Sequence, residues 1–180
     1  MKLPFFTVGH SNRSLEEFVE LLSGAEVRVL ADVRRIPRSR ANPQFNQDVL
    51  GGSLAPFGIS YELMSALGGR RGIVKSVSPD VNGLWRNLSF HNYADYALSA
   101  EFGAGLRHLI EQGSERRCAV MCSEAVWWRC HRRIIADYLL VADARVFHIL
   151  GRDSVAPASL TKAATPQLDG TLTYPARTGS

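Results

Sequence analysis

The chain has 180 residues, 46% of them hydrophobic and 21% charged. That suffices for one domain with a substantial core and excludes a disordered or fibrous chain. No apolar run approaches the roughly 20 residues that span a bilayer, so no membrane partner is expected. The start, Met1-Lys2-Leu3-Pro4-Phe5-Phe6, has no small-residue cleavage site, and a cytoplasmic location is expected. The formal charge of +4, from 21 basic and 17 acidic residues, is too mild to imply nucleic acid by itself. Arg34, Arg35, Arg38 and Arg40, however, fall within seven residues, a cluster that overall composition does not explain.

Leu3 to Val8 is an apolar run of strand length ending at Gly9. Ser14 with Glu17 three residues later marks a capped helix start, and Leu15, Phe18, Val19 and Leu22 supply its apolar face up to Gly24. Val27 to Val33 reads as a second strand. Both strands are continuously apolar, as in a parallel sheet covered on both faces. Arg34 to Asn46 is an aperiodic loop, and a helix follows over residues 45 to 55 despite Gly51-Gly52. Gly58 to Leu63 is a short third strand. Residues 64 to 88, with Gly68-Gly69-Arg70-Arg71-Gly72, form a long surface excursion, a length usually tied to function. Helical spacing returns from Asn92 to about Gln112, broken or bent at Gly103 and Gly105. Cys118 to Cys122 is a strand, His131 to Val141 a helix and Arg145 to Leu150 a last strand. The expected organisation is a single α/β domain over 1–151 and an irregular tail over 152–180, partly ordered against the body.

This alternation predicts a mainly parallel sheet flanked by helices on both faces, a Rossmann-like three-layer sandwich. In such sheets ligands bind beyond the carboxyl ends of the strands, which is where the reactive side chains fall. His10-Ser11 follows the first strand, Asp32-Val33-Arg34-Arg35 closes the second, and Cys122-Ser123-Glu124 leads on to Arg129-Cys130-His131-Arg132.

His10, Asp32, Cys122, Glu124 and His131 are therefore the candidate catalytic groups. Ser11, Arg34, Arg38, Arg40, Arg70, Cys130 and Arg132 are the candidate substrate-binding ones. His10 and Ser11 also read as helix-capping residues, and Asp32 as a carboxylate tied structurally to a neighbouring arginine. Pro37 and Pro43 stiffen the arginine loop, and guanidinium forks grip phosphate or carboxylate through paired hydrogen bonds. Cys122 has the surroundings of a nucleophile with a histidine base, while Cys130 and His131 sit at a helix start that favours anions. Glu124 is placed for proton transfer, water positioning or charge pairing. Cys118 reads as core, and Trp127-Trp128 as packing, with base stacking the second reading. No cofactor is expected. Zinc held by Cys122, Cys130, His131 and His10 is the lesser alternative, because C-x7-C-H is not a familiar ligand spacing. Three clustered cysteines are a poor disulfide framework and fit a reducing compartment.

Several motifs match in order from Phe5 to about Gly151: Gly9-His10-Ser11; Asp32-Val33-Arg34 with Pro37-x-Ser39-Arg40-x-x-Pro43-x-Phe45; Leu67-Gly68-Gly69-Arg70; and Cys122-x-Glu124 with Cys130-His131-Arg132. Together they resemble the bacterial domain of unknown function family 488. The resemblance implies a compact α/β domain with a shared cluster around those motifs. It points to His10, Asp32, Arg34 and Glu124, rather than a cysteine nucleophile, as family-wide chemistry.

The expected function is that of an enzyme, a hydrolase or transferase, on a phosphate-bearing substrate such as a nucleotide, DNA or RNA. Two alternatives stand beside it: a non-catalytic nucleic-acid-binding module using the arginine loop, and a structural or redox-sensing protein.

Overall fold

The computed structural model describes residues 1–178. Strands β1 (Phe5–Gly9), β2 (Val29–Asp32), β3 (Ser60–Leu63), β4 (Cys118–Cys122), β5 (Val146–Gly151) and β6 (Ser154–Pro157) form one sheet in the order β3-β2-β4-β1-β5-β6. The first five are parallel and β6 runs antiparallel to β5. Helices α1 (Leu15–Gly24) and α2 (Gln47–Leu54) cover one face. On the other lie α3 (Leu88–Tyr96), α4 (Ala100–Glu115) and α5 (Arg132–Val141). The fold is a three-layer α/β arrangement with a mixed, mostly parallel sheet.

The two cores follow from strand alternation. Phe5, Val29, Ala31, Cys118 and Val120 point to the α3–α4–α5 side with Tyr93, Phe102, Leu109, Ile134 and Leu139. Phe6, Val8, Leu30, Ala119 and Met121 point to the α1–α2 side with Phe18, Leu22, Leu50 and Leu54. Every residue of β1, β2 and β4 is buried, which accounts for their unbroken apolar character.

Ser14 caps α1 in a complete capping box with Glu17, so His10 is left free of that duty. The expected helix over 92–112 is two helices. The break falls at Ala97–Ser99, where the Ser99 side chain accepts a hydrogen bond from the Phe102 backbone and restarts the chain as α4. Gly103 and Gly105 lie inside α4 without breaking it. Gly105 is there for contact, since a Cβ would sit 2.8 Å from Ala66 Cβ. The helix expected over 45–55 is α2 preceded by a 3-10 turn at Pro43–Phe45.

The excursion after β3 holds a 3-10 turn at Ser65–Leu67 and is tied down by two tyrosines of α3. Tyr93 donates its hydroxyl to the Leu67 carbonyl and Tyr96 to the Ala66 carbonyl, each at 2.6 Å.

The tail, expected to be irregular and partly ordered against the body, holds over its described residues three short strands among otherwise irregular chain. A two-residue turn with Asp153 at φ 54 leads from β5 into β6, where Pro157 is tolerated because the strand is at the sheet edge. A small hairpin, β7 (Thr165–Pro166) with β8 (Leu172–Thr173), then brings Leu172 and Tyr174 into full burial. The final two residues of the expected tail lie outside the described residues. Among the described residues, no helix is long and apolar enough to cross a membrane.

Candidate functional site

The register of the parallel strands sets the site. Gly9 lies opposite Cys122, and Asp32 opposite Met121, so β1, β2 and β4 end together. Beyond their carboxyl ends opens a cavity of roughly 730 Å³. His10, Ser11, Arg34, Arg38, Arg70, Cys122, Glu124, Cys130 and His131 all line it, joined by Arg35 and Arg129. Asp32 and Arg132 lie behind the wall, and Arg40 is exposed outside it.

Glycine makes the close approach of β1 to the β4 loop achievable. A Cβ at Gly9 would overlap the Glu124 carbonyl oxygen, so only glycine lets the loop cross here. The His10 and Ser11 amides then extend the ladder, donating to the Cys122 and Ser123 carbonyls at 2.9 and 3.0 Å. Ser11 and Arg70 both hold positive φ, 49 and 54, an uncommon backbone state for non-glycine residues that gathers at binding sites.

Asp32 is fully buried and fully engaged. Its Oδ1 accepts from the Arg34 amide at 3.0 Å and from Arg34 Nε at 2.9 Å. Its Oδ2 accepts from Arg34 Nη2 at 2.7 Å and from the Tyr61 hydroxyl at 2.5 Å. With every lone-pair direction taken, this carboxylate has no capacity to serve as a base; it aims Arg34. Burial, together with the hydrogen bond to Asp32, pushes the Tyr61 hydroxyl well above its ordinary pKa, so it stays a donor. Arg34 Nη2 also donates to the Phe45 carbonyl at 2.7 Å, and Nη1 reaches His10 Nε2 at 3.3 Å.

Those contacts fix the His10 tautomer. A carbonyl can only accept, so His10 Nδ1 donates to the Ser11 carbonyl at 2.8 Å; a guanidinium can only donate, so Nε2 accepts from Arg34. Burial, reinforced by the Arg34 charge against the pull of the Ser11 carbonyl, lowers the His10 pKa to about 4. The ring is neutral at pH 7 and stacks on Phe45 at 4.4 Å. It acts as a support for Arg34 rather than a ready acid.

At the cavity floor the two cysteines shift in opposite directions, Cys130 downward as its place at a helix start suggests and Cys122 upward. The neighbouring Cys130, together with burial, pushes the Cys122 thiol far up. Burial would also raise Cys130, but Cys122 and Arg132 outweigh it and hold the thiol down at about 6. Arg132 explains the difference. Its guanidinium is 1% exposed and has no carboxylate partner among the described residues. Its Nε lies 3.3 Å from Cys130 Sγ, and Nη2 donates to the Glu124 carbonyl. A buried cation favours the charged form of whatever acid lies against it, and here that neighbour is the Cys130 sulfur. Arg132 thus contacts the Cys130 sulfur and the Glu124 carbonyl from behind the cavity wall.

His131, just before α5, donates from Nε2 to the Val33 carbonyl at 2.8 Å, which leaves Nδ1 facing Cys130 Sγ at 3.6 Å. Burial lowers its pKa. Cys122, Cys130 and His131 place their ligand atoms within 4.8 Å of one another. His10, the fourth member of the zinc set read from sequence, has both nitrogens committed elsewhere. Glu124 is exposed on the rim and accepts from the Val126 amide at 3.3 Å.

Cys118 is fully buried, its thiol pushed up to about 12 by burial. Trp127 packs flat on His148, centroids 4.2 Å apart, whereas Trp128 is exposed.

Tyr61 was not singled out from sequence; its signal is faint, a tyrosine on an edge strand two residues short of the Asp32 register. Arg35 and Arg129 lay within stretches that were singled out, but only the backbone path shows that they face the cavity.

A family model, Domain of unknown function DUF488, matches residues 14–139, so the chain belongs to that family. No curated protein and no solved structure matches it.

Proposed function

For this DUF488 protein we propose an enzyme that acts on a phosphate-bearing substrate, a nucleotide or nucleic acid, in the cavity at the carboxyl edge of the sheet. One observation carries this reading. Five arginines line the cavity, against a single carboxylate, Glu124. Of the five only Arg34 has a carboxylate partner; Arg35, Arg38, Arg70 and Arg129 ion-pair with no acid among the described residues. Cations gathered without counter-ions around a concave surface focus positive potential and draw in anions. Planar guanidinium groups favour phosphate oxygens among them. Arg34, held rigid by Asp32, offers a fixed donor, while the others are free to wrap a larger anion. Cys130 lies on the floor and Glu124 on the rim, and a substrate between them meets a sulfur on one side and a proton acceptor on the other.

The test is to measure nucleotide and single-stranded DNA or RNA binding across a salt series, alongside turnover. Binding should weaken steeply with salt, and the slope should fall by about one per phosphate contact removed in Arg38→Ala and Arg70→Ala. Glu124→Gln should abolish turnover with the fold intact. Salt-independent binding, or none, overturns the reading. Salt-sensitive binding without turnover of any phosphate-bearing ligand identifies a binding module instead.

A further inference from the structure

We propose that Cys122, Cys130 and His131 form a binding site for one zinc-like divalent ion, with the fourth coordination position open to the cavity. The donor set is two soft sulfurs and an imidazole nitrogen, which suits zinc over magnesium or calcium. The spacing suits it as well. Zinc lies about 2.3 Å from sulfur and about 2.0 Å from imidazole nitrogen, so a tetrahedral edge between them is about 3.6 Å. Cys130 Sγ and His131 Nδ1 stand 3.6 Å apart, and the third ligand atom lies within 4.8 Å of both.

Two further features point the same way. Metal-bound histidines typically give their other ring N–H to a backbone carbonyl or carboxylate, which fixes the ring. His131 gives its Nε2–H to Val33 in this manner, leaving Nδ1 for a metal. Next to Nδ1 the chain carries Gly69, where a Cβ would sit 2.8 Å from the nitrogen. The missing side chain leaves that flank of the imidazole clear, and Gly69 itself lines the cavity.

On binding, the ion takes the His131 Nδ1 lone pair and both cysteine sulfurs as thiolates. Each cysteine that still carries its thiol proton gives it up, and the protons released leave to solvent. Three protein ligands leave the fourth position for water or a substrate oxygen, the arrangement of catalytic rather than structural zinc. The flanking arginines would favour an anionic oxygen there.

The test uses the full chain, reduced, with no substrate present. Titration with zinc should show one equivalent bound. Titration with cobalt(II) should show thiolate-to-metal charge transfer and the intense visible bands of a tetrahedral site. Cys122→Ser and Cys130→Ser should weaken binding by more than the roughly 10–100-fold typical of losing an outer-shell partner. Gly69→Ala should weaken it too, and Cys118→Ala should bind as the parent does. Should the cysteine variants fail to fold, the parent still decides, because zinc should protect Cys122 and Cys130 from alkylation. The proposal is overturned by an absence of stoichiometric binding, by undiminished binding in folded cysteine variants, by alkylation unaffected by zinc, or by a Cys122–Cys130 disulfide in protein prepared under reducing conditions. Since metal binding is read without substrate and phosphate binding without metal, either idea can fail alone.

Discussion

The Asp32 carboxylate accepts four hydrogen bonds, three from Arg34 and one from Tyr61, so the pair behaves as one unit. Asp32→Asn leaves a guanidinium that is 4% exposed without its counter-charge, and breaking a buried pair costs about 3–5 kcal/mol. The expected outcome is a large drop in the denaturant midpoint and weakened anion binding; a variant as stable as the parent contradicts the assignment. At this scale, the sequence made residue identity legible but left role ambiguous. Asp32 and Arg34 stand two residues apart, so either a base or a structural pair was readable, and only the occupancy of both carboxylate oxygens decides. The cysteines show the same limit. Which thiol carries the charge depends on a buried Arg132 whose position emerges only when α5 docks.

Among the elements, the parallel strands were the most legible, because burial on both faces leaves an unbroken apolar run. The α3–α4 break was not. Two glycines within four residues looked like the breaking point, yet their role is close packing, and Ser99 supplies the restart through its cap. Ser99→Ala should therefore lower stability by about 1 kcal/mol, measurable by urea unfolding, whereas Ser114→Ala on the exposed end of the same helix should change little. Equal effects would argue against a capping role. The short β6 was missed because four residues ending in proline carry no periodic signal, and its partner β5 provides the pairing.

For the molecule as a whole, the neutral buried histidines tie stability to pH. His10 and His148 are both depressed to about 4, foremost by burial and further by nearby arginines, against about 6.5 in the unfolded chain. As pH falls from about 6.5 toward about 4, the unfolded chain takes up protons that the folded one refuses, so the folded state loses ground. Above 6.5 the contribution is complete, and below 4 these groups add no further slope. Thermal melts across this window should show a falling midpoint, and His148→Asn should flatten the fall; an unchanged slope in that variant excludes His148 as a contributor. The gathering of reactive groups at one end of the sheet was readable from the strand-end rule. The far wall was readable only in part: Arg70 and its glycine motif stand out, but the excursion lacks the periodicity that would place them against the cavity.

The far end of the excursion that carries this wall is braced by Tyr174. Tyr174 donates its amide to Asn82 Oδ1 and its hydroxyl to Asp137 on α5, while the Leu84 amide donates to the Tyr174 carbonyl. The terminal segment thus works as a buckle, fastening the same stretch of chain that carries Gly69 and Arg70 to the helix that follows Cys130 and His131. The tie between residues 82–84 and α5 is made by a tyrosine 92 residues further along the polypeptide than Asn82.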